Sequence, residues 1–304
     1  QYLACCNRHT MPISRSLYES NSAVRRNPRR QNRVAVDVIT YLSTDIDFST
    51  MRGISDNVAL VTGSGRGIGR GIATRLAEEG ATVAINDIDA ERAETTAAEL
   101  REEGHDAIAA PADVTDLDNM QSTVDDIVDE QGRIDILVYN AGWDRVELFK
   151  DNDPEVWDRI IDINYKGQVN SARAVTDYMI DQESGKIIGI SSDAGRVGST
   201  GEAVYAGTKA GVIGFTKTLA RELARFDIQC NVVAPGPTDT PLLEEMQHET
   251  EIARKIHEGM ENAVPLGRKA QPEDIAAGVA FFASGDADYI TGQVLSVSGG
   301  LTMC

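Results

Sequence analysis

From Val58 onward, short continuous apolar runs alternate with longer stretches whose apolar positions recur every three or four residues. VALVTG, TVAIND, IDILVYNAG, KIIGISS, IQCNVVAPG and QVLSVSGG are runs of the first kind, and AIAAPADV is a weaker one. A run apolar at every position suits a strand buried on both faces of a parallel sheet. GIGRGIATRLAEEG, ERAETTAAELREEG, AVYAGTKAGVIGFTKTLARELARF and EDIAAGVAFFAS carry the helical period, as does a stretch ending VDDIVDEQG. EVWDRIIDINYKGQVNSARAVTDYMI predicts one long helix. Strand–helix alternation over the whole stretch predicts an α/β protein with a doubly wound parallel sheet of the Rossmann type. Neither an internal repeat nor a low-complexity linker interrupts it, so residues 51–304 are expected to be a single domain.

Residues 1–50 read differently. They hold seven arginines, no lysine and four acids, a net of +3, whereas the rest of the chain carries −22. RRNPRRQNR is not followed by an apolar stretch, so it is a poor secretory signal. MRGISDNVALVTG reads as a natural beginning, and 1–50 are expected to be a disordered leader or a non-native extension. The acidic remainder repels nucleic-acid phosphates and anionic lipids, which argues against both as partners. Seven lysines against 22 arginines, on so acidic a chain, resemble proteins of salt-loving organisms. No run of eighteen apolar residues exists, and a cytoplasmic protein is expected. Cys5, Cys6, Cys230 and Cys304, with His9, His105, His248 and His257, form no metal-ligand spacing.

The chemistry begins at TGSGRGIGRG, between the first strand and the first helix. Gly63, Gly67 and Gly69 let the backbone turn tightly and approach a pyrophosphate, with Arg66 and Ile68 between them. The helix N-terminus supplies free N–H groups and a positive dipole end. An acid, Asp87, closes the second strand about twenty residues on, the spacing of a dinucleotide site. Its carboxylate can accept the adenosine ribose hydroxyls and repels a 2′-phosphate, so NAD is preferred over NADP. Arg66 either meets a phosphate or pairs with a nearby acid.

Gly-x-x-x-Gly-x-Gly, then NAG, a serine, Tyr-x-x-x-Lys and PG, in that order over residues 56–303, resemble the short-chain dehydrogenase/reductase family. NAGWD, SSDAGRVGSTGEAVYAGTK, APGPTDTPLL and ITGQVLSVSGGLTM look most like 2-hydroxycyclohexanecarboxyl-CoA dehydrogenase and the 3-oxoacyl reductases. The chain departs from the family's NNAG, reading Tyr139-Asn140-Ala141-Gly142.

The resemblance implies a catalytic set of Asn164, Ser192, Tyr205 and Lys209. Oxidising an alcohol requires taking a hydroxyl proton as hydride leaves the same carbon. Tyrosine is a poor base, with an ordinary pKa of about 10, and a cation one helical turn away is expected to lower it. Tyr205 is thus the general acid–base and Lys209 its electrostatic partner, which by likeness also binds the nicotinamide ribose. Ser192 polarises the substrate oxygen from a strand end, while alternation sends Ser191 to the other face. Asn164 matches the position thought to anchor a proton-relaying water chain. Asn140, Ala141 and Gly142 lie near the cofactor, Asp113 and Val114 flank the adenine, and Pro235, Gly236 and Thr238 contact the carboxamide end.

Residues 240–262 fall where the family carries its lid, and Leu242, Leu243, Met246 and Ile252 are candidates to cover an apolar substrate, unless they belong to a plain surface helix. For the phosphates of a CoA thioester, Arg145, Lys150, Arg196 and Arg268 are the candidate cations. Trp143 either walls the pocket or is a core aromatic. The first expectation is an NAD-dependent dehydrogenase of hydroxyacyl-CoA, including alicyclic ones, assembled as a homotetramer. The alternatives are an NADPH-dependent 3-oxoacyl-thioester reductase and, from another class, a non-catalytic NAD(H)-sensing regulator.

Overall fold

Strand β1, Val58–Thr62, is buried at all of its positions, as are β4, Ile136–Tyr139, and β6, Ile228–Pro235. Burial on both faces is what a continuous apolar run requires, and it is met by helices packed on each side. The structure is a computed structural model and describes residues 51–304; the expectations for 1–50 lie outside the described residues. β2 (Thr82–Asn86), β3 (Ala107–Ala109), β5 (Gly185–Ile190) and β7 (Val294–Val297) complete one sheet. Its order is β3-β2-β1-β4-β5-β6-β7, and every pairing is parallel. The chain therefore winds outward from β1 to β3, then crosses back to lay β4 on β1's other side. That reversal opens a crevice at the strands' C-terminal ends, where open α/β sheets take their ligands.

One face of the sheet is covered by α1 (Gly67–Glu78), α2 (Ala90–Glu102) and α10 (Pro272–Ala283), through Ile72, Leu76, Leu100, Ile275 and Val279. On the other lie α3 (Leu117–Gln131), α5 (Gly167–Gln182) and α7 (Ala203–Leu223), through Met120, Val124, Val175, Met179 and Val212. Each such Leu, Ile or Val contributes about 1.5–3 kcal/mol by burial.

The expected single helix over 155–180 is instead two helices. α4, Pro154–Ile161, and α5 are joined by a π-helical turn, Asp162–Lys166. Asn164 sits in that turn, fully buried, and its Nδ2 donates to the Ile160 carbonyl at 2.9 Å. A side chain that bonds the carbonyl four residues back competes with the helical ladder, and π turns of this kind mark functional positions. Apolar periodicity does not register such a bulge, because it shifts the face by a single residue. After β5 comes a short helix, α6 (Ala194–Val197), and after β6 come α8 (Pro241–Glu249) and α9 (Glu251–Ala263).

Candidate active site

A cavity of about 830 Å³ lies along the C-terminal ends of the strands. Its wall contains Gly63, Arg66, Gly67, Ile68, Gly69, Asp87, Asp113, Val114, Asn140, Ala141, Gly142, Ser192, Tyr205, Lys209, Pro235, Gly236 and Thr238. The structure thus brings the expected positions into one cleft, with Asn164 just behind the wall.

The first third of the cleft is made of backbone. Gly63 has φ +63°, and a Cβ there would stand 2.8 Å from the Ala141 Cα; one on Gly69 would stand 2.2 Å from the Gly63 carbonyl. Both positions therefore need glycine. α2, α3 and α4 are capped by Asp89, Asp116 and Asp153. α1 begins without a side-chain cap and without an acid in its first turn. Its free N–H groups and positive dipole end face the cavity, a cradle that fits a pyrophosphate.

Asp87, 6% exposed, follows β2 and accepts from the Asp89 N–H at 3.0 Å and from Arg92 at 3.1 Å. Gly65 gives it room: a Cβ there would meet Asp87 Oδ2 at 2.7 Å. Arg66 pairs with Glu245 of α8 at 2.5 Å, the second of its two expected uses. Asp113 accepts from the Thr115 N–H and hydroxyl at 2.9 and 2.8 Å, and the Val114 carbonyl accepts from Asn170 at 2.9 Å. Asn140 donates through Nδ2 to the Thr62 and Gly63 carbonyls at 2.9 and 3.2 Å, which ties the β4 end to the glycine turn. Thr238 donates to the Gly236 carbonyl at 3.0 Å.

The Tyr139 departure has a local explanation. Its ring is fully buried and its hydroxyl bonds Thr216 of α7. Gly189, on the neighbouring strand, makes the space, since a Cβ there would stand 2.4 Å from the Tyr139 ring. An aromatic has replaced a polar strand residue, with its one polar atom satisfied.

At the centre, Ser192 follows β5, and Tyr205 and Lys209 lie one turn apart on α7. The Ser191 hydroxyl donates to the Lys209 carbonyl at 2.8 Å, which fastens α7 to β5 from the opposite side of the chain. Lys209 Nζ donates to the Ile190 carbonyl at 3.0 Å and lies 5.6 Å from the Tyr205 ring centroid. Asn164 Oδ1 accepts from the Trp143 N–H at 3.2 Å, and its Nδ2 donates to the Trp143 carbonyl at 2.5 Å. A Cβ on Gly142 would sit 2.8 Å from that Oδ1 and 3.5 Å from Lys209 Nζ, so the absent side chain lets amide and ammonium converge.

The electrostatics differ from the expectation. Burial first, then the charges of Asp144 and Glu202, push the Tyr205 phenol up from its ordinary value, and a hydrogen bond with Ser192 pulls it down. Burial pushes the Lys209 ammonium down to about 8, against the charge of Asp144, which raises it. In the unliganded protein the phenol is therefore held in its O–H form.

The substrate end is lined by Trp143, Arg159, Leu242, Leu243, Met246, Ile256 and Met260. Leu242, Leu243 and Ile256 pack against buried Val146, Met246 and Ala253. Ile252, expected among them, is 51% exposed and points away, one residue out of phase with the buried face of α9. None of the four expected phosphate cations lines this cavity. Arg145 pairs with Glu249, Lys150 with Asp151 and Arg268 with Asp274, while Arg196 donates to Ser296 at 2.7 Å. The cations that do line its substrate end are Arg159, 3.9 Å above the Trp143 ring, and Lys255 of α9. Neither was among the expected cations: Lys255 falls within 240–262, a stretch that reads as mostly acidic, and Arg159 within the stretch that predicts one long helix. Among the described residues, no group of three or more His, Cys, Asp or Glu could hold a metal ion, and no helix is long and apolar enough to cross a membrane.

A phosphate cradle joined to a serine, tyrosine and lysine at the switch point defines an oxidoreductase that uses a nicotinamide dinucleotide. The family model described as Enoyl-(Acyl carrier protein) reductase matches residues 63–302. The chain is 44% identical over 246 residues to the 3-oxoacyl-[acyl-carrier-protein] reductase FabG of Staphylococcus aureus, covering 81% of this chain and 98% of that one. It is 39% identical over 251 residues to the (2S)-[(R)-hydroxy(phenyl)methyl]succinyl-CoA dehydrogenase subunit BbsD of Thauera aromatica, covering 83% and 98%. The crystal structure of gox2181 superposes with a TM-score of 0.77 at 34% identity, covering 81% of this chain and 96% of that one. The chain belongs to the short-chain dehydrogenase/reductase family, and it is an NAD(P)-dependent oxidoreductase.

Proposed function

We infer that this enzyme reduces the 3-oxo group of an acyl thioester, and in reverse oxidises the 3-hydroxy group, with NAD(H). The observation that carries this reading is the likeness, along nearly the whole relative, to 3-oxoacyl-[acyl-carrier-protein] reductase. It puts the reductase ahead of the alicyclic hydroxyacyl-CoA dehydrogenase expected first. Trp143 in the cavity wall and the likeness to a dehydrogenase of a phenyl-bearing acyl-CoA favour a ring-bearing acyl-CoA as the second reading.

When bound, the nicotinamide supplies or accepts the hydride. Ser192 donates its hydroxyl hydrogen to the substrate carbonyl oxygen and sets its place. Tyr205, held as a phenol, gives its proton to that oxygen as it becomes an alkoxide. Lys209, with its cationic head beside the phenol, steadies the phenolate left behind. Asn164, fixed by Ile160 and Trp143, holds the turn that brings its amide next to Lys209. The apolar faces of α8 and α9 exclude water from the acyl chain.

Asp87 supports NAD(H), because a buried carboxylate beside the adenosine ribose penalises a 2′-phosphate. Arg92 offsets part of that charge, so the expected preference is moderate. A homotetramer, the family's usual form, completes the reading; light scattering would check it.

The test is a panel of acetoacetyl-CoA, 3-hydroxybutyryl-CoA, a ring-bearing hydroxyacyl-CoA and simple secondary alcohols, with both cofactors, at low and high salt. Acetoacetyl-CoA with NADH should give the highest kcat/KM of the panel. Turnover of simple alcohols with none of any thioester would overturn the thioester reading, and a strong NADPH preference would overturn the use made of Asp87.

A further inference from the structure

Directly after the NAG turn, Asp144 enters the protein interior. It is 3% exposed, no side-chain N–H or hydroxyl donor reaches either carboxylate oxygen, and its partners are the Arg145 backbone N–H and the Glu202 carboxyl. A buried carboxylate with a single backbone donor and no bonded cation is costly, and it is relieved by taking up a proton. Its neighbour is a second carboxyl, that of Glu202, which stands at the N-terminus of α7 three residues before Tyr205. Asp144, Glu202 and Tyr205 all line the cavity and also the small cleft behind it.

The surrounding groups do not neutralise the pair. On its own loop, Arg145 is turned to Glu249 and Glu147 accepts from Asn152. From α4, Arg159 lies over Trp143; from α9, Lys255 pairs with Glu251. From α7, Lys209 acts on Asp144 by charge alone, its Nζ being bonded to the Ile190 carbonyl. Ser199 hydrogen-bonds Glu202. Burial, then the Glu202 charge, raises the Asp144 carboxyl above the ordinary range, and burial raises that of Glu202.

We propose that Asp144 and Glu202 share a proton at neutral pH and act as a positioning pair that keeps Tyr205 in its phenol form, biasing the site toward donating a proton and hence toward carbonyl reduction. The pair touches no reacting atom. It works through the field at Tyr205: each added negative charge beside a phenol makes its ionisation harder. As pH rises and the shared proton leaves, the bias strengthens, so the phenol stays protonated well into alkaline solution. This rests on Tyr205 as the acid–base of the proposed reaction, but not on the identity of the substrate.

The tests therefore use unliganded protein first. Infrared difference spectra at about pH 7, wild type minus Asp144→Asn, should show the C=O stretch of a protonated carboxyl, also lost in Glu202→Gln. Ultraviolet spectra at about pH 10, with Tyr205→Phe as blank, should show several-fold more phenolate at Tyr205 in Asp144→Asn/Glu202→Gln than in wild type. In turnover, the acid limb of the pH profile for 3-hydroxybutyryl-CoA oxidation should move down by about one pH unit in Asp144→Asn/Glu202→Gln, which removes the pair's negative charge and which a merely structural loss would not do. No protonated-carboxyl band in wild type, or equal phenolate in wild type and double variant, overturns the proposal. Absence of thioester turnover alone overturns the substrate reading and leaves both spectral tests standing.

Discussion

The two ends of the cleft are built on different principles. The cofactor end is made of backbone: glycines at sites where a Cβ would strike a carbonyl or Cα, an uncapped helix start, and Asp87 fixed by the Asp89 N–H and Arg92. The substrate end is made of side chains brought from distant segments, Trp143 and Asp144 after β4, Arg159 on α4, Glu202 before Tyr205, and Met246 and Ile256 on α8 and α9. A backbone site tolerates little change and serves one ligand class. A side-chain site can be retuned without disturbing the sheet.

That contrast orders the expected mutational effects. Lys209→Ala removes a 2%-exposed ammonium from the junction of the two ends and should lower kcat/KM by about 100-fold or more, with weaker NADH binding, read by initial rates and fluorescence titration. Gly69→Ala sets a methyl against the Gly63 carbonyl; it should cost about 1–3 kcal/mol in denaturant unfolding and sharply weaken NADH binding. Asp87→Ala should shift the NADH/NADPH ratio of kcat/KM by about tenfold toward NADPH, and an unchanged ratio would remove its role.

At the substrate end the sharpest effect is on pH dependence. The Asp144 carboxyl is raised in the folded protein, so the stability that its proton confers is full below its unfolded value of about 4 and is lost as pH rises through the folded value. Asp144→Asn removes that loss, so its Tm relative to wild type should climb between about pH 5 and about pH 8. Smallest of all, Arg66→Ala breaks a half-exposed pair with Glu245 and should change stability by no more than about 1 kcal/mol. A much larger loss of NADH affinity would show that Arg66 meets a phosphate after all.

The same contrast explains what could be read from the chain. Gly63, Gly67, Gly69 and Asp87 were legible because their constraints are local: a turn, a helix start and a strand end at fixed spacing. Tyr205 and Lys209 were legible for the same reason, being one helical turn apart. Asp144 was not, because its meaning depends on Glu202, 58 residues away, and on the lack of a cation bonded to either carboxyl. For the same reason the net direction of the Tyr205 phenol in the unliganded protein was not legible: burial and the nearby acids raise it, opposite to the effect expected of Lys209 by itself. Ile252 was misplaced by one position because the chain breaks at Thr250 between α8 and α9, which resets the helical phase. The π turn at Asn164 left no trace in the apolar pattern, although Asn164 itself stood out by its place in the family motif.

The most direct test of the central claim is the Tyr205→Phe variant, followed in one stopped-flow experiment by NADH fluorescence on binding and NADH absorbance on mixing with acetoacetyl-CoA. Loss of the phenolic hydroxyl should leave NADH affinity within about threefold of wild type and slow NADH oxidation by at least about 100-fold. Oxidation of NADH within tenfold of the wild-type rate would contradict the account, since another group would then be giving the proton.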